Sequence, residues 1–105
     1  MLMLSRAEEI ILLTVLQLEG DAYGISIREF IKNATGREWS LAQIYDPLNR
    51  LTRKGYVEKF KGPPSGERGG RHKCLYSLTD AGRAALLDLR RMQDRIWAKV
   101  PEKIS

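Results

Sequence analysis

The chain has 105 residues, 43% hydrophobic and 30% charged, with a net charge of +5 and a sequence pI near 9.6. These values describe one folded globular domain with a single modest core. They exclude a membrane helix, since no stretch reaches roughly 18 consecutive apolar residues. One histidine and one cysteine leave no internal disulfide and no set of metal ligands, so no cofactor or metal is expected.

The opening "MLMLSRAEEIILLTVLQLEG" is apolar but broken by Arg6, Glu8 and Glu9. It has no basic leader and no small-residue cleavage site, so no secretory signal is expected. With Cys74 as the lone cysteine, the expected setting is the reducing cytoplasm. Ser5 and Glu8 have capping-box spacing, and a first helix follows to Leu18, apolar almost all round and therefore central to the core. Gly20 ends it and Asp21 is placed to cap the next. The second helix is expected over 22–35, with Tyr23, Ile27, Phe30 and Ala34 at three- and four-residue spacing and Gly36 as a left-handed cap.

"REW" (37–39) reads as a short extended piece. Ser40 with Gln43 repeats the capping box and opens a third helix to about Lys54, with Leu41, Ile44, Leu48 and Leu51 on its apolar side. Pro47 removes one backbone bond from that helix, at a cost of roughly 3 kcal/mol; either the helix kinks or packing overrides the preference. "YVEKFK" (56–61) and "KCLYSL" (73–78) read as strands around a Gly/Pro tip, and Thr79 caps a last helix through about Lys99. The fold class is mainly α with a small β-hairpin: a winged helix-turn-helix over residues 1–79, followed by a C-terminal dimerisation helix over 80–105.

Charge is local. Between Arg50 and Lys73 there are eight cations and two anions, a balance of +6, which leaves −1 for everything else. Such a cluster is the footprint of a nucleic-acid site, although a basic run alone also describes a solvated face. A third helix braced by a second is the arrangement of major-groove readers. Its polar face carries Ser40, Gln43, Asp46, Asn49, Arg50 and Arg53. Gln43 suits adenine or a phosphate, and the amides of the first turn suit a phosphate too. Asp46 does not fit a phosphate-binding face; it either meets solvent or pairs with Arg50. The hairpin tip has no apolar anchor, so Lys61, Arg68, Arg71 and Lys73 read as an arm reaching duplex phosphates or a minor groove. The plainer reading of the tip is charge for solubility.

Nothing supports catalysis. Alternation puts Cys74 with Tyr76 and Leu78, so a buried thiol is expected, and His72 joins the basic edge. "GERGG" opens no helix and cradles no phosphate. On the last helix, Ala85, Leu89, Met92 and Ile96 are spaced 4, 3, 4, a heptad seam flanked by Trp97. In a single copy this seam is left largely uncovered unless the helix folds back on its own domain, so a homodimer is expected, with two reading helices set for palindromic half-sites.

With these residues in view, the chain resembles the PadR-like transcriptional regulators, through "DAYGISIREFI" (21–31), "SLAQIYDPLNRLTRKGYVE" (40–58) and "ERGGRHKCLYSLTDAGRAAL" (67–86). The resemblance implies a bacterial regulator, usually a repressor, binding double-stranded DNA as a homodimer through its C-terminal helix. It implies that Tyr23 and Tyr45 pack near the DNA backbone, that Ser40 and Gln43 begin the recognition helix, and that Arg68 to Lys73 form the wing. The family often has proline directly after the tyrosine matching Tyr45; here Asp46 intervenes before Pro47. Some members bind flat hydrophobic compounds between the paired helices, where Met92 and Trp97 would stand; plain interface packing accounts for them equally. The competing function is a winged helix that docks a protein partner and binds no DNA.

Overall fold

Three of the four helices begin where a short polar side chain accepts from a free amide of the first turn. The computed structural model describes residues 3–64 and 72–104. Helix α1 (Arg6–Gln17) has the expected box: the Glu8 amide donates to Ser5 Oγ at 3.1 Å and the Ser5 amide donates to Glu8 Oε1 at 2.8 Å. Helix α3 (Leu41–Arg53) repeats it with Ser40 and Gln43. Helix α4 (Asp80–Trp97) starts on Thr79, whose hydroxyl accepts from the Gly82 amide at 3.1 Å.

Helix α2 (Gly24–Thr35) departs from expectation. Asp21 is not its cap. Tyr23 takes that position, and the Ser26 hydroxyl accepts from the Tyr23 amide at 2.9 Å and donates to the Asp21 carbonyl at 2.6 Å. The helix starts later than the periodicity implies because Ala22 is engaged elsewhere: its carbonyl accepts from the Tyr76 amide at 2.8 Å. At its far end Gly36 has φ 75°, a left-handed cap that other residues adopt only with strain.

Strands β1 (Val57–Pro64) and β2 (His72–Leu78) form one antiparallel hairpin, with Val57 opposite Leu78 and Lys61 opposite Cys74, and an irregularity before Pro64 meets His72. The extended piece expected at 37–39 is no strand; Trp39 instead lies half-buried against the core. The segment that joins the hairpin's edge is the one before α2, through Ala22. Among the described residues the order is thus three helices, a hairpin and a fourth helix, a mainly α winged-helix architecture.

The core gathers Ile11, Leu12 and Val15 of α1, Ile27 and Ile31 of α2, Ile44, Leu48 and Leu51 of α3, and Tyr76 and Leu78 of β2. Helix α1 touches every other helix, as its composition implies, but it is not covered all round: Leu13 and Leu16 are 41% and 37% exposed. Helix α3 runs unbroken through Pro47, whose ring is buried beside Leu48, so tertiary packing overrides the local preference. Cys74 is exposed, against expectation. It does share a face with buried Tyr76 and Leu78, but the hairpin outruns the core between Tyr76 and Cys74.

Glu8 is only 3% exposed and lies on the same stripe of α1 as Ile11, Leu12 and Val15. Its Oε2 receives the Lys54 ammonium at 2.6 Å, with Arg50 Nε at 3.7 Å. Burial pushes its pKa up, but the Lys54 hydrogen bond and charge and the Ser5 amide outweigh that, so the carboxyl titrates below its ordinary value. The start of α1 is thereby clamped to the end of α3. A second junction holds the hairpin to α4. Thr79 Oγ1 donates to the Gly55 carbonyl at 2.6 Å, and Gly82 sits so close to Tyr56 that a methyl there would overlap the Tyr56 carbonyl oxygen.

Replacing Gly82 by Ala should therefore cost about 1–3 kcal/mol in urea unfolding, because the obstacle is backbone and cannot rotate away. Glu8→Gln should cost about 1–2 kcal/mol at pH 7, the loss of a charged hydrogen bond. Because folding lowers the Glu8 pKa, its contribution is full above the unfolded value near 4.5 and is lost as pH falls through the folded value. The gap between wild type and Glu8→Gln should shrink accordingly between pH 7 and pH 3.

Candidate nucleic-acid interface

An α-helix turns about 100° per residue, so on α3 the positions Ala42, Asp46, Asn49 and Arg53 fall within about 60° of one another. All four are exposed, opposite buried Ile44, Leu48 and Leu51. Tyr45 flanks this stripe on one side and Gln43 and Arg50 on the other. Ser40 and Gln43, both exposed, lie at the helix start, where the Gln43 amide donates to Ser40 Oγ at 3.2 Å. In return Gln43 Oε1 accepts from the Ser40 amide at 2.8 Å, which leaves the two carboxamide hydrogens and one lone pair of the oxygen for other partners.

Tyr45 connects this face to its surroundings. Its hydroxyl rests on Gly24 at the start of α2, where a methyl group would overlap the oxygen and approach Cζ to 2.7 Å. Tyr45 and Cys74 both lie close enough to Tyr76 to act on its phenol, which burial first and these neighbours second push up to about 12. Tyr76 therefore stays neutral at any ordinary pH. Next to Gly24, the Tyr23 ring carries the Lys73 ammonium at 4.3 Å from its centroid. Strand alternation puts Lys59 and Lys61 on the face of Val57 and Tyr76, so beyond the core this face presents exposed Lys61 beside exposed Cys74. Tyr23, Tyr45 and Lys73 are thus gathered around the start of α2, and Lys61 stands on the hairpin opposite Cys74. Arg68 and Arg71 lie outside the described residues.

The basic run does not act as one block. Lys54 is committed to Glu8, and Arg50, 42% exposed, leans toward the same carboxylate; Arg50 makes no pair with Asp46. Arg53, Lys59, Lys61 and Lys73 are exposed. Glu8 and Gly24 escaped the sequence reading as determinants of this face. Glu8 was legible as a stripe position, three and four residues before Ile11 and Leu12; Gly24 carried no signal apart from following Tyr23.

On α4, Ala85, Leu89 and Met92 are half-buried and line a groove of about 230 Å³ with Met3, Leu4 and Tyr56. Ile96 and Trp97, further along, are each 61% exposed. Gln93 Nε2 donates to Glu9 Oε2 at 3.1 Å and Arg83 meets Glu19 at 2.9 Å, so the helix is tied once to α1 and once to the turn that follows it.

If Tyr45 is seated by Gly24, the two positions should be energetically coupled. Gly24→Ala should destabilise the wild-type fold more than it destabilises a Tyr45→Phe background, by about 0.5 kcal/mol or more in a double-mutant cycle of urea unfolding. Strict additivity would show that the contact is incidental.

No curated protein matches the sequence. Among solved structures, a protein of Streptococcus mutans UA159 is 27% identical over 86% of this chain and 77% of its own, with a TM-score of 0.65. A PadR-like transcription factor of Bacteroides fragilis has the same fold, with a TM-score of 0.70 at 21% identity over 85% of this chain and 81% of that one. So does RosR of H. salinarum, with a TM-score of 0.66 at 24% identity over 94% and 82%. RosR is archaeal, so the likeness does not itself imply a bacterial source. The family described as "Transcriptional regulator PadR-like family" matches residues 12–88. The chain belongs to the PadR-like family, whose members are transcriptional regulators and not enzymes.

Proposed function

We propose that this protein is a cytoplasmic, sequence-specific DNA-binding repressor that grips a palindromic operator as a homodimer. The observation that carries the reading is the meeting of α3 and the hairpin at the start of α2, through Tyr45 on Gly24 and Lys73 on Tyr23. A helix that fits a groove, with a basic arm held beside it, suits base edges and the flanking phosphates. In this reading Gln43 and Asn49 meet base edges or the nearest phosphates. Ser40, Tyr23, Tyr45, Arg50, Arg53, Lys61 and Lys73 position the backbone, together with Arg68 and Arg71 of the wing. Residues 1–79 form the reading unit and residues 80–105 the pairing helix.

Pairing through α4 is supported by its uncovered apolar side: half-buried Ala85, Leu89 and Met92, then exposed Ile96 and Trp97. A second copy would cover that seam, and a flat hydrophobic effector held between the copies would touch Met92 and Trp97. Repression, as opposed to activation, follows from the family's usual behaviour.

Fluorescence anisotropy with duplexes at graded salt tests the proposal. With about 6–10 phosphates contacted per dimer, affinity should fall 10³–10⁵-fold between 50 and 200 mM salt. Arg53→Ala and Lys61→Ala should weaken all duplexes alike, whereas Gln43→Ala should blunt preference between sequences. Leu89→Glu combined with Ile96→Glu should yield a monomer in sedimentation and abolish tight operator binding. A flat salt response, or a wild type that sediments as a monomer at micromolar concentration, would refute it.

A further inference from the structure

Asp46 occupies the middle of the exposed stripe of α3, with Ala42 one turn before it and Asn49 and Arg53 after it on the same side. No described residue forms an ion pair with it. The cation one turn on, Arg50, is drawn instead toward Glu8 at 3.7 Å, and Lys54 is held there at 2.6 Å. An exposed acid on a helix is ordinarily a solvated one. Here, if the DNA-binding reading above holds, the carboxylate stands where a polyanion docks and water is displaced. A bare carboxylate in that position repels phosphates and must find a donor.

We propose that Asp46 is a specificity-determining residue that accepts a hydrogen bond from the N4 amino group of cytosine in the major groove. The groove edge offers two amino donors, cytosine N4 and adenine N6. Adenine sets its N7 acceptor beside the amino group, which opposes a carboxylate. Guanine presents two acceptors and thymine one, so both repel it. Cytosine alone presents a donor without a competing lone pair on the major-groove edge. The small side chain of Ala42, one turn earlier, leaves the approach to Asp46 open. Asp46 therefore selects as much by excluding guanine as by accepting cytosine.

The test is selection of bound sequences from a randomised duplex pool with wild type, Asp46→Ala and Asp46→Asn, followed by anisotropy on single-base variants. Wild type should prefer cytosine at one position per half-site by about fivefold or more. Asp46→Ala should bring that ratio close to one and leave preferences elsewhere intact, with tighter binding to unrelated duplexes. Asp46→Asn should move the preference toward adenine, whose N6 and N7 fit a carboxamide. Unchanged base preference in Asp46→Ala, even with a uniform gain in affinity, would overturn the inference while leaving DNA binding standing. So would a wild type that favours cytosine at no position. A wild type that binds no duplex at low salt would instead sink the DNA-binding reading and this inference with it.

Discussion

A carboxylate buried in a small core must be answered by cations and amides, and Glu8 sets the terms for the rest of this fold. Its two oxygens join the first turn of α1 to the last turn of α3, through the Ser5 amide on one side and Lys54 on the other. With that end fixed, Ile44, Leu48 and Leu51 turn the whole of α3 about its axis into the core. The face left outward is then not free to vary. Hydrophobic burial determines which residues point in, and one ionic clamp determines where along α1 they do so.

The same clamp redistributes the basicity that the sequence advertises. Arg50 and Lys54 answer Glu8 at the flank of α3, so the potential on its outward face is weaker than the count of cations implies. Exposed Lys59, Lys61 and Lys73 of the hairpin supply proportionately more of it. The outward face of α3 is left comparatively neutral, with Ala42, Asp46 and Asn49 beside Arg53. That division suits a helix concerned with sequence and an arm concerned with attraction.

Most of the fold was legible because its signals were local. Two capping boxes, Thr79 and Gly36 each mark a helix boundary that the structure contains, and the 56–61 and 73–78 runs pair as expected. What the sequence left unread came from tertiary context. Helix α2 loses its first residues to a sheet contact with Tyr76, more than fifty residues away. Cys74 follows strand alternation but lies past the point where the core ends, which no periodicity can report. Arg50 had a plausible partner four residues away in Asp46 and took one forty-two residues away in Glu8. The candidate site was legible to the same extent: its helix and hairpin could be read, whereas Gly24 as the seat of Tyr45 depends on a close approach visible only in three dimensions.

Gln43 is restrained by its own helix start, because its carbonyl oxygen already accepts from the Ser40 amide. A long side chain that docks from solution surrenders rotational entropy of the order of 1 kcal/mol; one held by its own helix start has surrendered most of it during folding. Rigidity of this kind has a chemical consequence. The amide turns its two hydrogens toward a phosphate or a purine N7, whereas two-point recognition of adenine would have to use the second lone pair of an oxygen already shared with the Ser40 amide, so cap and base would draw on one acceptor.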